Sequence, residues 1–115
     1  MEDDLVAWEK VLRIETRGRL SGVPAQAVVG YIEAADGVLF VAAGDPGADW
    51  ALNLLEEPIA RVTIGERSFD VRARELDAHD AAVAVRELIL RYGTPSERLG
   101  AGPAFALEPE PVPEA

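Results

Sequence analysis

Between Ser68 and Leu76 the chain alternates without a break: Phe69, Val71 and Ala73 fall on one side, Asp70, Arg72 and Arg74 on the other. Successive side chains of an extended strand point to opposite faces, so this run describes a sheet with one buried and one wet face. A two-residue turn, Gly65-Glu66, ties it to an apolar run at Ile59 to Ile64, and Asp36-Gly37 supplies the positive-φ residues of a second hairpin. That second turn joins Ala25 to Ala34, rich in Val28, Val29, Tyr31 and Ile32, to Val38 to Ala43. Val11 to Arg17 alternates as a leading strand, and Pro103 to Leu107 reads as a closing one. Five or six short strands in hairpin order predict a small, mostly antiparallel barrel whose closure hides its edges.

Helices interrupt the strands at defined places. Trp50 to Glu57 follows the loop Gly44-Asp45-Pro46-Gly47 and stops at Pro58, which cannot continue a helix. Asp77 is a good N-cap, and Ala81, Val85, Leu88, Ile89 and Tyr92 recur at helical spacing until Gly93. Asp4 to Lys10, behind an acidic start, adds a short leading helix. The resulting class is mostly β (α+β), with two or three flanking helices. At about 100 to 200 residues per domain, 115 residues make one domain. It spans residues 1–107, and 108–115 is a flexible Pro/Glu tail with no core to make.

Charge and composition exclude several functions. Eleven basic against twenty-one acidic residues give a net charge of −10, which opposes phosphate-neutralising nucleic-acid binding and attraction to anionic membranes. With no cysteine and His79 alone, neither a thiolate nor a histidine zinc centre is available. No stretch reaches the roughly 20 apolar residues of a membrane span, and the acidic N-terminus is unlike a signal peptide, so a cytoplasmic location is expected. The basic residues are unevenly spread. Lys10, Arg13, Arg17 and Arg19 gather at one turn, and Leu20 to Ala60 contains none. An anion can dock there although the whole protein repels anions.

The segment Arg13-Ile14-Glu15-Thr16-Arg17-Gly18-Arg19-Leu20-Ser21-Gly22-Val23-Pro24 resembles the strand-turn-strand opening of the deazaflavin-dependent nitroreductase family. Ala35 to Gly44 is similar to that family's second and third strands. Trp50-Ala51-Leu52-Asn53-Leu54, followed by Glu57-Pro58-Ile59-Ala60-Arg61-Val62, is similar to its tryptophan-asparagine-leucine helix and the strand after it. The resemblance covers about Arg13 to Leu107. It implies a split β-barrel of the FMN-binding type, often a homodimer, that binds coenzyme F-420 (8-hydroxy-5-deazaflavin), with FMN as the alternative cofactor. The implied activity passes a hydride to a small organic acceptor such as a quinone, enone or nitro compound, and no metal takes part.

The resemblance also nominates residues. Arg17, Gly18, Arg19, Ser21 and Gly22 form the anion-binding turn, where guanidinium groups and open backbone N–H groups suit a phosphate. Ala43 and Gly44 border the ring system. Trp50 and Asn53 each carry two readings: Trp50 faces cofactor or anchors packing, and Asn53 touches ligand or ties its helix to a neighbouring loop. Proton donation falls to Tyr92, Ser21 or water, while Tyr92 also lies on the apolar helix face with Leu88 and Ile89. The chain departs from the family pattern at Ala25, where a basic residue usually follows the proline, at Ala43-Gly44-Asp45, and after Tyr92, where further tyrosines are absent. These departures suit a rival of another class, a non-catalytic split barrel that holds an apolar ligand or FMN.

Overall fold

The computed structural model describes residues 11–18, 22–93 and 102–110. The expected leading helix, Asp4 to Lys10, lies outside them. Seven strands follow in order: β1 (Leu12–Thr16), β2 (Ala25–Val29), β3 (Ile32–Glu33), β4 (Leu39–Ala42), β5 (Ile59–Ile64), β6 (Arg67–Glu75) and β7 (Ala104–Pro109). Helix α1 (Asp49–Glu56) stands between β4 and β5, and α2 (Ala78–Tyr92) between β6 and β7. All strands belong to one antiparallel sheet in the order β2-β1-β5-β6-β7-β4-β3. The turn signals act where they stand in the sequence. Gly37 (φ 88°) and Gly65 (φ 58°) hold left-handed backbone at the two hairpins, and Asp77 accepts the Asp80 N–H at 2.8 Å to cap α2.

Two apolar cores lie on opposite sides of this sheet. Leu12, Ile14, Val62, Ile64, Val71, Leu39, Val41, Phe105 and Leu107 fill the concave side together with Trp50, Ala51 and Leu54 of α1. Across the sheet, Ala42, Ala104, Ala106 and Leu76 pack against Ala84 and Leu88 of α2, with Phe40 partly buried beside them. Strands β4 and β7 are therefore covered on both faces, which accounts for their continuous apolar runs, Leu39 to Ala43 and Ala104 to Leu107. β5 and β6 keep a wet outer face. There Arg61 pairs with Asp70 (3.2 Å), Arg72 with Glu110 (3.0 Å) and Arg74 with Glu108 (3.4 Å).

Three expectations change. The run Ala25 to Ala34 is two strands, broken at Gly30-Tyr31, because the Tyr92 hydroxyl takes the place of a strand partner. It accepts the Tyr31 N–H and donates to the Tyr31 carbonyl, each at 3.1 Å. The expected closure gives way to the split barrel that the resemblance implies: among the described residues β2 and β3 end the sheet, a curled half-barrel. Finally, β7 continues through Glu108 and Pro109, past the expected domain end at Leu107. Pro109 sits opposite Val71 beyond the last β4 pair, Leu39 with Leu107, so one side of its backbone has no strand to serve.

Candidate functional site

The C-terminal end of β1 opens into a cleft of about 350 Å³ lined by Glu15, Thr16, Arg17, Gly22, Pro24, Ile59, Arg61 and Asp70. Sheet register builds it: Glu15 stands beside Arg61, and Arg61 beside Asp70, all on the outer face. Most of these charges are matched. The Gln26 amide donates to Glu15 at 2.8 Å, and Arg61 donates to Asp70 at 3.2 Å. Arg17 is exposed and has no carboxylate partner among the described residues. Beneath it, the Asn53 Nδ2 of α1 donates to the Thr16 Oγ1 at 2.9 Å, and both residues are 2% exposed or less. Thr16 is the polar member of the inward set Leu12, Ile14, Thr16, and that exception is the signal from which its partner could have been sought.

The turn after Arg17 is held by its glycines. A Cβ on Gly18 would stand 2.2 Å from the Val23 carbonyl oxygen, so only glycine allows this approach. Gly22 (φ 74°) has nothing within 4 Å of its Cβ position and leaves the cleft mouth open. One expectation is corrected here. The Gly22 N–H is engaged by the Gly18 carbonyl at 2.9 Å and is not an open donor, while the side chain of Arg17 at the same turn is exposed. Arg19 and Ser21 lie outside the described residues.

The other nominated residues stand elsewhere. Trp50 is buried, its ring centroid 6.0 Å from that of Phe105, and serves as a packing anchor in the concave core. Ala43 points its methyl into the same core while its N–H donates to the Pro103 carbonyl at 2.9 Å. Gly44 is exposed in the following loop. Tyr92 joins the end of α2 to Tyr31, with its ring against Gly30 and the Arg91 guanidinium 5.2 Å away. Arg91 also lies 4.9 Å over the Tyr31 ring. Burial pushes the Tyr31 phenol above its ordinary value, and the charge of Arg91 opposes that rise. Sequence reasoning missed this cluster, since Tyr31 and Tyr92 are 61 residues apart.

The protein is thus an antiparallel split half-barrel with a cleft at the end of its first strand that gathers Glu15, Arg17, Arg61 and Asp70. Residues 5–95 match the F420H(2)-dependent quinone reductase family, and the chain belongs to that family. The family's cofactor is coenzyme F-420. Among solved structures, an F420-H2 dependent reductase (FDR-A) aligns with a TM-score of 0.72 and 23% identity, covering 86% of this chain and 94% of that one. HutZ, the heme storage protein of Vibrio cholerae, aligns at 0.73 and 20% identity over 96% and 88%. A putative pyridoxamine 5'-phosphate oxidase from Listeria innocua aligns at 0.66 and 13% identity over 96% and 94%. These similarities establish the fold. None of the curated proteins matches the chain. Among the described residues no helix is long and apolar enough to cross a membrane.

Proposed function

We propose that the protein is a deazaflavin-dependent reductase that anchors the anionic part of coenzyme F-420 at the β1 cleft and reduces a quinone, enone or nitro compound. The observation that carries this reading is the exposed Arg17 guanidinium beside open, Cβ-free space at Gly22. An anion in that place compensates a positive charge that the described residues leave unmatched. Arg61 is a second cationic group in the cleft, shared with Asp70. Asn53 and Thr16 fix the end of β1 from below and thereby aim Arg17. Arg19 and Ser21 belong to the same turn in sequence and extend the proposed contact.

When bound, the reduced deazaflavin supplies the hydride; the chain's part is to hold and orient it. Tyr92 is not carried forward as the proton donor, because its hydroxyl is committed to both backbone groups of Tyr31. Water at the open cleft takes that role. The protein is proposed to act as a homodimer in the cytoplasm.

The test is titration of purified protein with reduced and oxidised F-420, and separately with FMN, followed by tryptophan fluorescence. F-420 is expected to bind, and Arg17→Ala to weaken it about 10- to 100-fold, the loss of one charge-assisted contact of about 1.5–3 kcal/mol. An unchanged affinity in Arg17→Ala removes the cleft from the reading. Binding of FMN or an apolar ligand in place of F-420 supports the non-catalytic barrel instead.

A further inference from the structure

Helix α2 does not close fully onto the strands at the β3 edge of the sheet. Ile32 and Phe40 stand opposite each other across β3 and β4, both partly exposed, and Leu76, just past the end of β6, lines the same space. From the helix, Val83 and Ala84 face them, and the short side chain of Ala84 leaves room for a cavity of about 350 Å³ between helix and sheet. That volume lies at the lower end of the roughly 300–1,000 Å³ of small-molecule sites, whose walls are likewise mostly apolar with a few charged groups at fixed places. None of its lining residues belongs to the β1 cleft.

The charge around this cavity has one sign. Asp80 and Glu87, on the same face of α2, both line it, and neither has an ion-pair partner among the described residues. Arg74 also lines it, but Glu108 already takes that guanidinium at 3.4 Å. At about 1.5 Å per residue, the two carboxylates leave the helix about 10 Å apart. A cation between them therefore stands within the screening length of about 8 Å of both.

We propose that this cavity binds a small apolar monoamine, an aliphatic or aromatic body carrying one ammonium group. The walls take the body out of water, and the carboxylates set the sign of the head group. An anion of the same shape meets both carboxylates while Arg74 is occupied, and a neutral molecule gains nothing from them. Phe40 adds an aromatic ring to the walls, which favours a cation over an equally apolar alcohol.

Amide-shift NMR titration of the full chain with phenethylammonium, phenethyl alcohol and hydrocinnamate, each up to about 10 mM, tests the proposal, because the three share one kind of body and differ in head-group charge. The ammonium is expected to saturate at about 0.1–1 mM, shifting Phe40, Val83 and Ala84, and to bind about tenfold more tightly than the alcohol. Hydrocinnamate is expected to bind least. Glu87→Gln and Asp80→Asn, each alone, weaken the ammonium about two- to fivefold, and together bring it to the level of the alcohol. Glu56→Gln on α1, across the sheet, removes the same charge and is expected to change nothing, which separates the local carboxylates from diffuse attraction to a chain of charge −10. Val83→Ser, at a position 49% exposed where folding is expected to persist, weakens ammonium and alcohol alike. The absence of a saturable shift at these residues overturns the proposal. So does an alcohol or hydrocinnamate that binds as tightly as the ammonium, or an equal loss in Glu56→Gln. The ammonium is expected to bind Arg17→Ala as it binds wild type, so the outcome stands apart from that of the β1 cleft.

Discussion

Tyr92 shows how one hydroxyl can shape a sheet. By bonding both backbone groups of Tyr31 it ends β2 and redirects the chain into β3, and its ring fills the space that a Cβ on Gly30 would need, 2.9 Å from Cε2. Tyr92→Phe keeps the ring and removes both bonds, leaving a partly buried N–H and C=O unmet. A loss of about 1–3 kcal/mol is expected in urea denaturation. Tyr31 makes a second, pH-dependent prediction. Its folded-state phenol is raised above 10.0 by burial, so folding favours the neutral form. That contribution is complete below the unfolded value and is lost as pH rises through the higher folded value. Absorbance titration at alkaline pH should therefore show Tyr31 ionising above the ordinary tyrosine range, and a fall in stability over the same range. Ionisation of Tyr31 at the ordinary value would falsify the burial argument.

At the scale of elements, the chain's own patterns disclose most of the structure. Alternation in Ser68 to Leu76, the glycine turns, the Asp77 cap and the Gly93 stop each rest on neighbours within a few residues, and each stands where the pattern places it. What stays hidden depends on distant partners. The break at Gly30-Tyr31 needs Tyr92, the role of Thr16 needs Asn53, and the extension of β7 needs β6. In the cleft, Arg17 was visible as a charge, but Arg61 and Asp70 enter only through strand register. The turn between β1 and β2 tests how far its two glycines differ. Gly18→Ala meets the Val23 carbonyl and forces the backbone apart, costing about 1–3 kcal/mol in urea denaturation and weakening F-420 binding with it. Gly22→Asn takes a φ of 74° that asparagine tolerates and is expected to leave stability nearly unchanged, while its side chain, entering the open space of the cleft, weakens F-420 binding. Equal effects of the two on stability would show that the turn does not hold the approach seen here.

For the whole molecule, the consequence of the topology is that the two cores cannot melt separately. Leu39, Val41, Phe105 and Leu107 face the concave core, while Phe40, Ala42, Ala104 and Ala106 on the same two strands face α2. Loss of either core strips one face of β4 and β7 and leaves their backbone ladder without cover. Leu88→Ala probes this from the helix side, since Leu88 is fully buried against the outer core and is remote in sequence from the Trp50–Phe105 contact in the other. The truncation is expected to destabilise by about 2–5 kcal/mol. Tryptophan fluorescence and far-UV circular dichroism should shift together, keeping one midpoint and equal calorimetric and van't Hoff enthalpies. If helix signal were lost at lower denaturant than tryptophan signal, α2 would be a separately folding layer. The doubly covered strands would then fail to couple the two sides of the sheet.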